Sequence, residues 1–328
     1  MKYDAISLGP VRMDVFVQLP EDEVTEMCSL DRKRCMIELG FGEKIAVNGV
    51  EFAIGGNAGN FAVGLARLGR KTALLGAVGD GWTDKRAVEI LAGEGVEIKY
   101  VQEKPGQMGF GVVIGYLGER TILSYYSHSV NEWPEDPELD AEWVYITSMG
   151  KGYEPFYQKA VEWAKVHNAR IGFNPGTRQI KAGLEPLRYV YAATEVLFVN
   201  KEEAAEVLGM QDQATEVKEL LKRLHETGPK VVIITDGMGG SFAYDGNKFL
   251  HTPIVEAPVV ERTGAGDAFG SGFLAAHMQG KPIAEAMKWG TVNSASVLGF
   301  VGPQAGLLNP EKLGEWLEKN RDITVTEI

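Results

Sequence analysis

The chain runs Arg262-Thr263-Gly264-Ala265-Gly266-Asp267-Ala268-Phe269 and continues in an apolar, helix-like pattern. A turn of small residues therefore comes directly before a carboxylate at the start of a predicted helix. The first turn of a helix has backbone N–H groups without partners and carries partial positive charge, and glycines let an anion approach it closely. An anion site beside a carboxylate suits phosphoryl transfer to a hydroxyl, with Asp267 as general base.

Two common nucleotide-binding motifs do not occur in this sequence. It contains no G-x-x-x-x-G-K-[ST], which excludes a P-loop NTPase, and Phe269 stands where GxGxxG requires its third glycine. The alternative interpretation of residues 264–267 is a glycine-rich helix start with a capping aspartate. Three small residues precede Asp267 and it lies inside the predicted helix, and both facts favour the anion site.

The composition is that of an ordinary globular protein, with 328 residues of which 45% are hydrophobic and 24% charged. The net charge of −12 argues against nucleic acid as a partner, because polyanion-binding proteins carry a basic field. No apolar run reaches the roughly 18 residues of a membrane span. No signal peptide is predicted either, so we expect a cytoplasmic protein without a membrane partner. Cys28 and Cys35 are predicted to be thiols rather than a disulfide or a metal site.

Short apolar runs alternate with helical patterns through most of the chain. This alternation predicts an α/β fold with a central, mainly parallel sheet and helices on both faces. Two strand-rich regions, about 11–54 and 108–126, interrupt the rhythm, and we interpret them as a small β lid on a single domain spanning 1–328. Hairpin turns are predicted at Asn48-Gly49 and Gly118-Glu119, with an irregular stretch over 21–44. A strand ending near Pro258 is predicted to lead into the Gly264 turn.

A second glycine-rich sequence, Gly55-Gly56-Asn57-Ala58-Gly59-Asn60, precedes another helical pattern. Together with Thr263-Gly264-Ala265-Gly266-Asp267 it resembles the two signatures of the ribokinase family, the phosphofructokinase-B-type carbohydrate and purine kinases. Their order, their separation and the total length match, so the resemblance covers nearly the whole chain. It implies a ribokinase-like three-layer sandwich and ATP- and Mg²⁺-dependent phosphorylation of a hydroxymethyl group.

The resemblance also implies roles for individual residues. The sugar would be bound by Asp14, Gly55, Gly56, Asn57 and Asn60, and the reaction centre would consist of Asp267 as base with Gly264, Ala265 and Gly266 as the anion hole. ATP would be contacted by Asn200, Thr235, Gly237, Gly240 and Asn293, and Glu203 would organise Mg²⁺ through water. Plainer alternatives are tight turns for the glycines, helix capping for Asn57, Asn200 and Glu203, and backbone hydrogen bonding for Asn60.

The sequence departs from the family pattern at two places. Glu261-Arg262 stand where many members have Asp-Thr in a region that helps to bind a monovalent cation, which puts K⁺ activation in doubt. Asn57 replaces the lysine of many ribokinases, which weakens an assignment to ribose. For four further residues, contact with the ligands and a surface or core role are both open: Arg178, Tyr125, Tyr126 and His128.

Three functions stay open at this stage. The first is an ATP-dependent sugar kinase, and the second is a nucleoside kinase of the same architecture, which an apolar, aromatic lid would favour. The third is a sugar- or nucleotide-binding sensor without turnover, and the retained Asp267 counts against it. The residues do not identify the natural substrate. Exposed lid edges lead us to expect a homodimer through the lid.

Overall fold

The structure is a computed structural model, and it describes residues 2–22, 24–29, 35–106, 109–126, 132–210 and 215–328. Its strands are β1 (Lys2–Leu8), β2 (Arg12–Gln18), β3 (Thr25–Cys28), β4 (Cys35–Glu38), β5 (Gly49–Gly55), β6 (Thr72–Val78), β7 (Val101–Glu103), β8 (Gly109–Tyr116), β9 (Glu119–Tyr126), β10 (Asp140–Thr147), β11 (Arg170–Asn174), β12 (Val196–Asn200), β13 (Val231–Thr235), β14 (Ser241–Tyr244), β15 (Phe249–Thr252) and β16 (Thr326–Glu327).

Its helices are α1 (Asn57–Arg67), α2 (Trp82–Gly93), α3 (Glu154–His167), α4 (Thr177–Ala182), α5 (Arg188–Ala193), α6 (Lys201–Val207), α7 (Val217–Glu226), α8 (Ala265–Met278), α9 (Ile283–Val297) and α10 (Pro310–Lys319). Short 3₁₀ turns occupy Glu185–Leu187 and Gly237–Gly239. Within the described residues, none of these helices is both long and apolar enough to cross a membrane.

In the described part of the chain, ten strands form a central sheet in the order β16-β15-β14-β13-β12-β11-β10-β1-β6-β7. The strands from β13 to β7 pair in parallel, and those from β14 to β16 are antiparallel. The parallel strands read as continuous apolar runs, because helices cover both faces of the sheet. Their carboxyl ends share one edge, where open α/β sheets bind ligands.

Two helical layers enclose this sheet. On one face, α3 to α7 pack on a core that includes Tyr157, Tyr191 and Leu221. On the other face lie α1, α8, α9 and α10, and the ring of Phe61 stacks on that of Tyr145 with 3.4 Å between centroids. Helix α8 is almost wholly apolar because it packs between α1, α9 and the sheet. The predicted three-layer α/β architecture is therefore confirmed.

A second, smaller sheet has the order β5-β2-β8-β9. It stands at the carboxyl edge of the central sheet, because β2 follows β1 directly and β5 runs into α1. Side chains alternate along its strands, so Arg12 and Asp14 lie on one face while Val15 and Phe52 lie on the other. The face with Arg12 and Asp14 is buried, whereas Phe52 is exposed. We call these the inner and outer faces of the small sheet.

Two local predictions ahead of β5 are wrong. The stretch over 21–44 contains an antiparallel pair, β3 with β4. Asn48-Gly49 is not a hairpin turn, because Gly49 already begins β5 and the Asn48 N–H donates to the Gln18 carbonyl at 2.8 Å. Strand β5 pairs with the distant β2, and local alternation does not reveal such a long-range partner.

Two further predictions need correction. Pairing of β3 with β4 sets Cys28 opposite Cys35, and the two form a disulfide rather than two thiols. Their spacing does not disclose this bond, because it depends on the hairpin that brings the two Cα atoms to 4.0 Å. The strand predicted to end near Pro258 already ends at Thr252, and an irregular connection leads from there to α8.

Candidate active site

Helix α8 begins at the predicted turn of small residues. Gly264 has a φ of +84°, and a Cβ there would collide with Pro303, so the position requires glycine. Asp267 is the third residue of the helix, and the Ala268 N–H closes the first turn on the Gly264 carbonyl at 2.8 Å. A Cβ on Gly266 would meet nothing in the described chain within 4 Å. The N–H groups of this turn therefore border a space that an anion can enter.

The carboxyl group of Asp267 contacts the first turn of α1. Its Oδ2 accepts a hydrogen bond from Asn60 Nδ2 at 2.9 Å. Burial raises the pKa of Asp267 to about 7, while the hydrogen bond from Asn60 lowers it and the charge of Glu203 raises it. A carboxyl group of this pKa exchanges a proton readily near neutral pH, which is the property of a general base. The contact brings the two glycine-rich sequences together.

The acceptor-binding residues predicted from the first glycine-rich sequence lie beside β2. Gly56 has a φ of +98°, and a Cβ on Gly55 would collide with the carboxylate of Asp14, which rests against this backbone. Asn57 begins α1 and donates from Nδ2 to Asn174 Oδ1 at 3.3 Å. The edge of the central sheet, the start of α1 and the inner face of the small sheet thus meet here.

Arg12 is a residue of this site that the sequence analysis did not single out. Its Nε lies 2.6 Å from Asp14 Oδ1, and its Nη1 donates to Ser124 Oγ at 3.2 Å. The two charged residues are 7% and 4% exposed. Burial raises the pKa of Asp14, and the ion pair with Arg12 opposes that rise. The available signal was the spacing of two residues along a strand, which puts both side chains on one face.

The predicted nucleotide residues lie at the ends of β12 and β13, where Asn200 pairs with Thr235. Asn200 Oδ1 accepts from the Glu203 N–H, and the Glu203 carboxylate accepts from the Asn200 N–H, both at 2.8 Å. Burial raises the pKa of Glu203, and the hydrogen bond from the Asn200 backbone lowers it. These two hydrogen bonds cap α6, as the plainer alternative predicted. They also hold the Glu203 carboxylate at the edge of the sheet. Gly237 and Gly240 follow β13 in a turn with positive φ.

Asn293, Arg178 and Tyr125 differ in their surroundings. Asn293 is fully buried in α9, and its amide hydrogen-bonds the backbone of α8 and of the segment before α10. These contacts use both ends of the amide, and the contact of Asn293 with ATP stays a prediction. Arg178 is exposed on α4, and Tyr125 is exposed on β9. His128 and the side chain of Tyr126 lie outside the described residues.

Fold and site together define a ribokinase-like α/β protein with a carboxylate at the open first turn of a helix. The structure is similar to that of Arabidopsis thaliana ribokinase complexed with ribose and ATP, with a TM-score of 0.77, 19% identity, and coverage of 97% of this chain and 99% of the other. This likeness supports the fold alone.

Residues 23–310 match the family described as pfkB family carbohydrate kinase, and the chain therefore belongs to that family. It is 30% identical to a cytidine kinase of Thermococcus kodakarensis, over 74% of this chain and 87% of the relative. It is 27% identical to a 5-dehydro-2-deoxygluconokinase of Clostridium tetani, over 82% and 85% respectively. The predicted family and the prediction of a kinase are thus confirmed, and the roles of the individual residues stay predictions.

Proposed function

We propose that this chain is a cytoplasmic, ATP-dependent kinase that transfers the γ-phosphoryl group to a hydroxymethyl group of a small carbohydrate. The observation that carries the proposal is the hydrogen bond from Asn60 to Asp267, which holds a carboxyl group of pKa about 7 beside the open turn of α8. The acceptor would bind between that carboxyl group and the inner face of the small sheet. ATP would lie along the ends of β12 and β13.

In this reaction, Asp267 accepts the proton of the attacking hydroxyl. The oxygen of that hydroxyl bonds to the γ-phosphorus, and ADP leaves. The N–H groups of residues 264–266 stabilise the negative charge that develops on the transferred group. Asp14 and Asn57 orient the hydroxyls of the acceptor. The small sheet serves as a lid of the single domain and excludes water, which would otherwise compete as acceptor.

Mg²⁺ suits the oxygen donors at the start of α6, where the capping hydrogen bonds hold the Glu203 carboxylate in place. Because Mg²⁺ keeps much of its own water, Glu203 would hold the ion through water, and the ion would neutralise phosphate charge. K⁺ activation stays in doubt. The carboxylate of Glu261 already accepts from the N–H groups of Thr263 and Gly302, and it lies 3.6 Å from Arg120 of β9.

A free sugar is the acceptor class that we favour. The inner face of the small sheet carries Arg12, Asp14 and Ser124, and such polar groups suit hydroxyls, whereas a nucleobase is usually held between aromatic rings. A nucleoside kinase is the second candidate, because one relative is named cytidine kinase.

The test is an ADP-release assay with ATP, Mg²⁺ and a panel of acceptors: ribose, fructose, 2-keto-3-deoxygluconate, 5-dehydro-2-deoxygluconate, cytidine, adenosine and inosine. We expect turnover with a sugar that exceeds turnover with every nucleoside, and loss of turnover when Mg²⁺ is removed. Turnover with nucleosides alone would favour the second candidate, a nucleoside kinase, over a sugar kinase. Binding of an acceptor without ADP from any of them would favour the sensor. The same assay with K⁺ added or omitted decides its effect.

We also propose that the outer face of the small sheet joins two copies of the chain. Val50, Phe52 and Leu123 are 51%, 54% and 56% exposed there, and apolar patches of this kind mark interfaces. Sedimentation should report a dimer that the double variant Phe52→Lys, Leu123→Lys converts to a monomer. A wild-type chain that sediments as a monomer at micromolar concentration would refute this part.

A further inference from the structure

The amide of Asn60 lies between Asp267 and a second amide, that of Gln304. Asn60 Nδ2 donates to Asp267 Oδ2 at 2.9 Å, and Gln304 Nε2 donates to Asn60 Oδ1 at 3.1 Å. Asn60 and Gln304 are 4% and 8% exposed. Buried amide groups require hydrogen-bond partners, so these contacts define how the two side chains are oriented.

The direction of this chain of hydrogen bonds follows from chemistry. An ionised carboxylate only accepts hydrogen bonds, so the nitrogen of the Asn60 amide must face Asp267 and its oxygen must face away. That oxygen then needs a donor, which Gln304 supplies. Without this donor, the amide keeps only its bond to Asp267 and is less firmly held against a turn that sets its oxygen towards the carboxylate. Gln304 therefore fixes the orientation of Asn60.

Gln304 is itself anchored to the far end of α1. Its backbone carbonyl accepts from Arg67 Nη1 at 2.6 Å. Arg67 in turn donates from Nε and Nη2 to the two carboxylate oxygens of Glu94, each at 2.7 Å. A bidentate pair of this kind is geometrically strict, so it holds the segment that carries Gln304 in place.

We propose that Gln304 is a positioning residue: acting through Asn60, it keeps Oδ2 of Asp267 occupied and directs Oδ1 towards the acceptor hydroxyl. The inference rests on the proposed function for the role of Asp267 as base. It goes beyond that function because Gln304 lies in the segment between α9 and α10, which neither glycine-rich sequence contains.

The charged and titratable groups around Asp267 determine its pKa, which is the quantity that tests the proposal. Glu203 at the start of α6 and Tyr145 on β10 interact with it electrostatically, and Arg67 lies behind Gln304. The hydrogen bond from Asn60 lowers the pKa of Asp267, against burial and Glu203. When that bond is lost, the two opposing influences stay, and the pKa rises.

The variant Gln304→Met removes the donor and keeps the length of the side chain. The pKa of Asp267 is measured directly by NMR titration of ¹³C-labelled carboxyl groups, with the resonance assigned by its loss in Asp267→Asn. We expect Gln304→Met to raise this pKa by about 0.5–1 pH unit. Gln304→Glu offers an acceptor in place of the donor and so favours the turned amide, and it should raise the pKa at least as much.

The matched control is Ser296→Ala. Ser296 Oγ donates to the Gly306 carbonyl at 2.8 Å, so this variant loosens the same segment. It leaves the hydrogen bonds from Gln304 through Asn60 to Asp267 in place. It should leave the pKa of Asp267 unchanged. In an Asn60→Ala background, Gln304→Met should have no further effect, because Gln304 acts through Asn60.

The titrations of Asp267 in these variants either support or overturn the role of Gln304. A titration of Asp267 that is the same in Gln304→Met, Gln304→Glu and wild type overturns the inference, and so does an equal shift in Ser296→Ala. In an active enzyme, the acid limb of the pH profile of kcat/KM should move with the titration, while the KM for ATP stays unchanged. If the titration of Asp267 shifts in Gln304→Met but wild type releases no ADP with any acceptor, the positioning role of Gln304 is supported and the proposed function fails.

Discussion

The start of α8 holds the half-buried Asp267 and the inner face of the small sheet holds the buried Asp14, and the two have different neighbours. Asp14 has the guanidinium of Arg12 at 2.6 Å. Asp267 has the neutral amide of Asn60 at 2.9 Å and the like charge of Glu203 near it. Burial raises the pKa of both carboxyl groups, because water stabilises an anion better than the protein interior does.

The difference teaches how its neighbours can suit one residue type to two different tasks. At Asp14 a cation opposes the effect of burial, which favours a retained anion that accepts hydrogen bonds from hydroxyls. At Asp267 no cation is among the causes of the shift, and the pKa rises to about 7, which suits a group that takes up and releases a proton. The neighbours of the two carboxyl groups therefore suit Asp14 to the binding role and Asp267 to the proton-transfer role proposed for them.

Removal of Asp267, the proposed general base, should have the largest effect. Asp267→Asn keeps the shape and the hydrogen bond from Asn60 but cannot accept the hydroxyl proton. We expect kcat to fall by about 10²–10⁴-fold with little change in acceptor affinity, measured by ADP release and by calorimetry. A variant that keeps wild-type turnover would show that the two aspartates do not differ in this way.

The two glycines beside Asp267 separate folding from anion binding. Gly266→Ala adds a methyl group to open space, so the fold should be intact while the methyl group intrudes on the transferred phosphoryl group and lowers kcat by about 10²-fold. Gly264→Ala forces a side chain into a positive φ against Pro303 and should lower the free energy of unfolding by about 2 kcal/mol. Equal kcat for Gly266→Ala and wild type would argue against an anion in this turn.

Neutralising the cation at Asp14 should make the two aspartates more alike. Arg12→Met leaves a buried carboxyl group without its ion pair, so we expect a higher pKa for Asp14 and an acceptor KM raised about 10-fold, with a smaller change in kcat. Steady-state kinetics measure this split. Lys2→Met breaks the exposed pair with Glu142 and serves as control, since exposed pairs contribute little.

The pH dependence of the rate should report Asp267. The base form is needed, so kcat/KM should increase about tenfold between pH 6 and pH 8 and level off above a pKa of about 7. A profile that is flat over this range would assign proton transfer to another group.

The last comparison concerns stability. The pKa of Asp267 is higher in the folded chain than the ordinary value of 3.8, so the folded state binds the proton more tightly and loses stability as pH rises from about 4 towards 7. Asp267→Asn should therefore stabilise the chain, by about 2–3 kcal/mol more at pH 8 than at pH 5. Urea denaturation at both pH values measures this difference. Glu185→Gln, an exposed carboxylate, should show no such trend.

The sequence predicted the architecture because its signals are local. Apolar runs alternating with helical patterns indicated the layers, and turns of small residues at 55–60 and 263–267 indicated where two helices begin. Local signals failed where a distant partner decides the outcome. Asn48-Gly49 is a sequence typical of hairpin turns, yet the partner of β5 is the distant β2. Cys28 meets Cys35 only because β3 and β4 pair.

By itself, the sequence determined the class of fold, the family, and the residue types available to bind an anion and accept a proton. Only the tertiary structure decided that Asn60 donates to Asp267, that Gln304 donates to Asn60, and that Arg12 pairs with Asp14. The physical reason is that a motif sets local backbone geometry, whereas the charge state of a buried carboxyl group depends on neighbours from distant parts of the chain.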